Sequence, residues 1–258
     1  MAADCVSTGA MSSTTDDRQP RYHDPLPEEL PFPDNNLFLK EHFAFGHPLL
    51  PARDAWRFRD RWSEAFGREA PLLVEIGSGN GFFLAELALR NPDFNVIGIE
   101  IRYKRIVRCA KKIQAAGAKN ALAIRYDATF LDDLFTSNSV FGLYVNHPDP
   151  WPKARHEKNR MVSRWFLEQS ADFLQDGGHL RIKSDYHDNV TRVAGLLDMG
   201  PNGEPLPALP FTITGQTTDL DTDGAPWPDD IKTYYQKKMT AQGLTIAAIE
   251  LIRGARGA

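Results

Sequence analysis

Three acidic side chains and a run of glycines occupy positions suited to holding a nucleoside. The stretch LLVEIGSGNGFFLAEL sets Glu75 ahead of Gly77, Gly79 and Gly81, and glycines there let backbone N–H groups approach a ligand closely. NVIGIE ends on Glu100, where a carboxylate can accept both hydroxyls of a ribose. Asp127 closes IRYD, at the place an adenine amino group would occupy. The G-x-G-x-G spacing differs from the G-x-G-x-x-G of dinucleotide binders. Singly, each feature has a plainer role: a tight turn for the glycines, a helix cap for Glu100, a turn residue in Asp127. Together, at successive strand ends, they point to a nucleoside ligand.

A second stretch, NHPDPWPKARHEKNR, runs from Asn146 to Arg160. It holds Asp149 between Pro148 and Pro150, whose rings fix φ, then adds Trp151 and the basic or imidazole side chains Lys153, Arg155, His156, Lys158 and Arg160. Another basic run, RYKRIVRCAKK, covers Arg102 to Lys112. A charge run is usually a solvated face, but two of them beside one site would favour a polyanion despite the net charge of −4. Taken alone, Trp151 reads first as packing, and Asp185, after HLRIKS, first as a helix cap.

The elements that must position these residues are legible as apolar runs bounded by turn signals. Strands are expected at Leu72–Ile76, Asn95–Glu100, Ala121–Tyr126, Phe141–Val145 and His179–Lys183. Helical periodicity spans Phe82–Arg90, Lys104–Ala116, Met161–Phe173 and Asn189–Met199. Such alternation predicts crossover units, hence a doubly wound α/β domain with helices on both faces. After Gly200, PNGEPLPALPFTITG and GLTIAAIELIR read as two late strands, antiparallel additions at the sheet edge. The expectation is a mostly parallel, seven-stranded sheet.

With 258 residues, 42% hydrophobic and 25% charged, the chain has the composition of one globular domain. Residues 1–35, acidic, small and proline-rich, are expected to form a largely disordered tail before a single domain at 36–258. Cys5 and Cys109 alone exclude a disulfide framework, and no metal-ligand spacing stands out, so no metal is expected. No apolar run approaches the roughly 20 residues needed to cross a bilayer, and no basic-then-apolar leader is present. The expectation is a cytoplasmic protein with no membrane contact and no obligatory protein partner.

EIGSGNG, GIEI, YDA, PDPWPKARHEKNR, KSDY and, more weakly, TYYQ together resemble the bacterial tRNA (guanine-N7)-methyltransferase family of class I, Rossmann-like, S-adenosylmethionine (SAM)-dependent enzymes. The likeness extends from about Leu72 to the C-terminus. It implies SAM as cofactor, S-adenosylhomocysteine as product, and a guanosine in the tRNA variable loop as substrate. It assigns Asp149 to catalysis and also to the cofactor, with Glu75, Gly77, Ser78, Gly79, Glu100, Ile101, Asp127 and Ala128. It assigns Lys153, Arg155, His156, Asp185, Thr233, Tyr235 and Gln236 to the tRNA. The chain departs from the family at Asn146 and His147, where an aromatic pair is usual, at Asn159 inside the basic run, and at Gln236, an amide in place of a carboxylate. Those departures leave two other readings open: a SAM-dependent N-methyltransferase of another RNA or small molecule, and a noncatalytic RNA-binding relative.

Overall fold

The computed structural model describes residues 19–25, 29, 37–200 and 203–255. Eight strands form one sheet: β1 (Leu49–Leu50), β2 (Leu72–Ile76), β3 (Asn95–Ile99), β4 (Ala121–Ile124), β5 (Val140–Asn146), β6 (Leu174–Ser184), β7 (Phe211–Thr217) and β8 (Ala247–Arg253). Their order is β1-β4-β3-β2-β5-β6-β8-β7. Pairing is parallel from β1 to β6 and antiparallel where β8 meets β6 and β7. The count exceeds the expected seven by β1, whose two residues are too short to give a periodic signal.

The sheet is buried on both faces, which is why its central strands read as unbroken apolar runs rather than alternating ones. Val74, Ile97, Leu143 and Ile182 pack against Phe166, Leu167 and Phe173 on one face. Leu73 and Val96 pack with Leu84, Leu87, Ile106 and Ile113 on the other. The helix Tyr103–Ala116 buries Ile106, Val107, Cys109, Ala110 and Ile113, and stops at Gly117 in the left-handed conformation, the usual glycine helix stop.

Two helix expectations shift for local reasons. The helix expected from Met161 begins at Arg164, because Ser163 caps it by accepting from the Phe166 N–H at 3.2 Å. The one expected over 189–199 is split into Asp188–Thr191 and Val193–Leu196. β-Branched Val190, Thr191 and Val193 crowd that segment and weaken helix continuity.

Residues 19–25, placed by composition in the tail, are packed. Asp24 is buried, ion-pairs with Arg125, and accepts from the Ala52 N–H at 2.8 Å. Its carboxyl is held below the ordinary range: burial pushes upward, but His42, Arg125 and the Ala52 amide outweigh it. Tyr22 packs against Tyr126, ring centroids 4.9 Å apart. Apart from Glu29, the rest of the expected tail, and Cys5 with it, lies outside the described residues.

Candidate active site

The chain steps outward from β2 through β3 to β4, then returns to place β5 on the other side of β2. In such open sheets the ligand crevice lies at this reversal, outside the carboxyl ends of the strands. Parallel register sets Ile76 beside both Ile99 and Val145. The residues that follow, Gly77, Glu100 and Asn146, therefore converge at one rim. A cleft of about 320 Å³ opens there, lined by Gly77, Glu100, Ile101, Asp127, Ala128, Asn146, His147, Pro148, Asp149 and Trp151, with Arg105 and Tyr126.

The glycine turn is tied to the neighbouring strand. Gly77 and Ser78 donate their amides to the Ile99 carbonyl at 2.8 and 3.0 Å, and Gly79 donates to Glu100 Oε2 at 3.2 Å. Gly77 has φ +76°, strained for a residue with a Cβ. Gly81, at φ +78°, opens the helix Phe82–Arg90, and a Cβ there would lie 2.8 Å from Cys109 Cα. Only glycine lets the two helices approach so closely. Ser78 turns inward, its hydroxyl donating to Cys109 Sγ at 3.7 Å, so its side chain faces the core.

Glu100 is 5% exposed and also accepts from the Arg102 N–H at 2.9 Å. A carboxylate has about four lone-pair sites, so capacity remains for a diol. Asp127 accepts from the amide and hydroxyl of Thr129, at 2.9 and 2.8 Å, and caps the short 3₁₀ turn Ala128–Asp133. Glu75 lies just behind the rim, where Asn146 Nδ2 donates to its Oε1 at 3.0 Å and its buried Oε2 has no partner. Burial foremost, aided by the Glu100 charge, pushes its carboxyl up to about 8, against the Asn146 hydrogen bond and the Lys183 charge.

The loop after β5 carries two backbone outliers. His147 and Trp151 have φ +52° and +39°, a conformation that non-glycine residues adopt only when their surroundings impose it and that clusters at functional sites. Between them Asp149 is exposed on the cleft rim. The His147 ring ties the loop to two other segments: Nε2 sits 3.0 Å from Thr233 Oγ1, and Nδ1 is 3.5 Å from Asp185 Oδ1. Tyr235 lies against the same ring, centroids 4.8 Å apart, and its hydroxyl donates to Asp185 Oδ2 at 3.4 Å. The His147 contact, chiefly, holds the Asp185 carboxyl below its ordinary range. Burial and the charges of Asp185 and Asp149 push the Tyr235 hydroxyl up.

Asp149, Asp185, Thr233 and Tyr235, far apart in sequence, thus meet at one mouth. Lys153 and Arg155 are exposed beside it, Arg155 and His156 within the 3₁₀ turn Ala154–Asn159, and His156 meets Trp151 edge-on at 5.4 Å. Gln236 stands apart. It is completely buried, near Asp221, and neither amide atom makes a hydrogen bond of standard geometry. Asn146 and His147, noted only as departures, are the residues that join Glu75 and Thr233 to this loop. Their role depends on strand order, which no local pattern reveals.

A larger cavity of about 590 Å³ lies under the helix Phe82–Arg90, among Phe83, Tyr144, His179, Arg181, Lys183 and Trp227. Its cations are matched, Lys183 by Asp230 and Arg181 by Glu250 at 2.9 Å, and no residue of the glycine turn lines it. Burial keeps His179 neutral, pushing it down to about 3. Among the described residues no three His, Cys, Asp or Glu side chains gather as a metal site, and no helix is long and apolar enough to cross a membrane.

A doubly wound sheet with its crevice at the β2/β5 reversal, a glycine turn and acidic residues at successive strand tips defines a class I SAM-dependent methyltransferase. The cleft volume falls in the range of small-ligand sites, and the Gly77 turn and Glu100 offer the backbone clearance and diol acceptor that the cofactor's nucleoside needs. A family model described as "Putative methyltransferase" matches residues 69–246. The tRNA (guanine-N(7)-)-methyltransferase of Geobacillus kaustophilus is 34% identical over 222 residues, covering 86% of this chain and 97% of that one. The enzyme of that name from Bacillus licheniformis is 30% identical, covering 85% and 95%. The chain belongs to the tRNA (guanine-N7)-methyltransferase family. The fold is also that of the 16S rRNA methyltransferase KamB, with TM-score 0.53 and 13% identity over 76% of this chain and 94% of KamB.

Proposed function

We propose that this protein transfers the methyl group of SAM to N7 of a guanine in tRNA, in the variable loop, and works in the cytoplasm where that substrate is made. The reading is carried by one observation: a carboxylate between two prolines, Asp149, stands on the rim of the nucleoside cleft and beside the Asp185–His147–Tyr235 cluster.

Guanine N7 carries an in-plane lone pair and no proton, so no general base is required. Alignment is required, together with compensation for positive charge arriving on the purine. The bound cofactor supplies the electrophilic methyl on its sulfonium. Glu100 and Asp127 would hold its nucleoside, and Asp149 would face both the base edge and the developing cation. Asp185 and Tyr235 would receive the base, and Lys153, Arg155 and His156 the phosphates near it. The target base must leave its stack to enter, at a cost of a few kcal/mol.

Incubation with labelled SAM and unmodified tRNA, followed by nucleoside analysis, is expected to yield 7-methylguanosine at the variable loop. Label found only in a small molecule or another RNA, or SAM binding with no transfer, overturns the reading.

A further inference from the structure

The basic helix Tyr103–Ala116 reaches the cleft only through Arg105; its other cations have no part in the site described so far. Its sequence carries Lys104, Arg105, Arg108, Lys111 and Lys112 and no acidic residue, and Arg102 precedes it. Lys111 pairs with Glu41, and Arg105 lies 3.9 Å from Glu100. Lys104, Arg108 and Lys112 meet no carboxylate among the described residues. They lie over aromatic rings instead: Lys104 and Arg108 over Phe38, at 5.6 and 5.8 Å, and Lys112 over Phe82 at 4.2 Å.

Phe82 is the first residue after the glycine turn and is 46% exposed; Tyr234, next to Tyr235, is 65% exposed. Their rings stack, centroids 5.4 Å apart and planes inclined by 21°. An isolated exposed aromatic needs no explanation. Two exposed rings stacked on each other under an unpaired ammonium, beside the substrate mouth, form the combination by which proteins hold single-stranded nucleic acid: a π-face for a base and cations along the backbone. Lys237 and Lys238, exposed on the helix Tyr234–Thr240, continue the positive charge beyond Tyr234.

We propose that Tyr234, backed by Phe82, presents the stacking face for an unpaired nucleotide flanking the target guanine, with Lys112, Arg108 and Lys104 carrying the phosphates that follow. This rests on the RNA-methylating reading above and adds a surface that none of the cofactor or substrate assignments contains.

The test is binding of unmodified tRNA to the full chain across a salt series, with SAM affinity and circular dichroism as controls on the cleft and the fold. The Phe82→Ala/Tyr234→Ala double variant is expected to weaken tRNA binding roughly 5- to 140-fold, the range of base–aromatic stacking, at undiminished SAM affinity. Tyr234→Phe should restore binding when Phe82 is present. Lys112→Gln should lower the log–log salt slope by roughly 0.7–0.9, one phosphate. A double variant with wild-type affinity, or a loss that Tyr234→Phe reproduces in full, overturns the platform; an unchanged salt slope in Lys112→Gln overturns the phosphate path. Failure of the wild-type protein to make 7-methylguanosine overturns the functional reading instead, so the two results are separable.

Discussion

His147 Nε2 lies 3.0 Å from the Thr233 hydroxyl, a contact across 86 residues of sequence. The same hydroxyl oxygen accepts from the Gln236 N–H at 2.8 Å and so caps the helix Tyr234–Thr240. A threonine hydroxyl has one proton to give. With a neutral ring and Thr233 donating to Nε2, the Nδ1 proton faces Asp185 Oδ1, 3.5 Å away. One imidazole thereby registers the proline loop, the end of β6 and the start of the last helix.

Removing either partner should therefore disturb the same contact. His147→Ala and Thr233→Ala are expected to couple in a double-mutant cycle by about 0.5–1.5 kcal/mol in denaturant unfolding. Thr233→Ala alone should cost about 1 kcal/mol for the lost cap. Additive effects would mean the contact carries no energy. In steady-state kinetics His147→Ala should raise the KM for tRNA more than the KM for SAM, since the ring's side-chain contacts are with Thr233, Asp185 and Tyr235 on the substrate side.

Asp149 is exposed and lies between two prolines, so its replacement should leave the fold intact. Asp149→Ala is expected to lower kcat on the order of 10²–10³-fold, the scale of losing one preorganised electrostatic partner, with tRNA and SAM still bound. Asp149→Asn, which keeps shape and loses charge, separates alignment from compensation: recovery to near wild-type turnover would assign the residue to alignment alone. Rapid-quench turnover measurements read both.

Glu75 makes stability depend on pH in an unusual direction. Between the ordinary glutamate value of 4.5 and about 8 the folded chain holds a proton on Glu75 that the unfolded chain has released. The folded state binds more protons there, so its stability falls as pH rises through that window. Each unit is on the order of 1.4 kcal/mol. Glu75→Gln cannot ionise, and the wild-type-minus-variant difference in urea unfolding should grow from pH 5 to pH 8 in favour of the variant. A difference independent of pH would place a charged carboxylate at that site.

The crossover pattern is legible because burial on both faces makes Leu72–Ile76 and Asn95–Ile99 continuous apolar runs, and because the periodicity of Lys104–Ala116 stops at a glycine, Gly117. β6 looks shorter in sequence than it is: Asp176, Gly177 and Gly178 carry turn chemistry, yet the strand runs through them, with Gly177 at φ +77° and the β5 pairing shifted between Val140 and Gly142. The packed segment 19–25 looked like tail because its anchor is a polar residue, Asp24, whose burial depends on Arg125, a partner 101 residues away. Within the site, Glu100 and Asp127 were recognisable from their place at strand tips. The Asn146–Glu75 bond and the His147 junction exist only because β5 returns beside β2 and β6 beside β5, an order that local sequence does not encode.

Gln236 separates what the resemblance implies from what the packing allows. The family pattern has a carboxylate at this position, and restoring it by Gln236→Glu would, on sequence grounds, strengthen contact with guanine N–H groups. The side chain is completely buried, however, beside Asp221, with both amide atoms lacking a partner of standard geometry. A charge introduced there loses its hydration and meets a like charge, each of which raises its pKa. Gln236→Glu is therefore expected to destabilise the protein by about 1–3 kcal/mol at pH 8. The loss should recede as the pH is lowered and the carboxyl is protonated, so thermal midpoints of variant and wild type should converge toward pH 5. Equal midpoints at pH 8 combined with tighter tRNA binding would instead mean that residue 236 turns out of the core when RNA arrives, and that the last helix shifts with it.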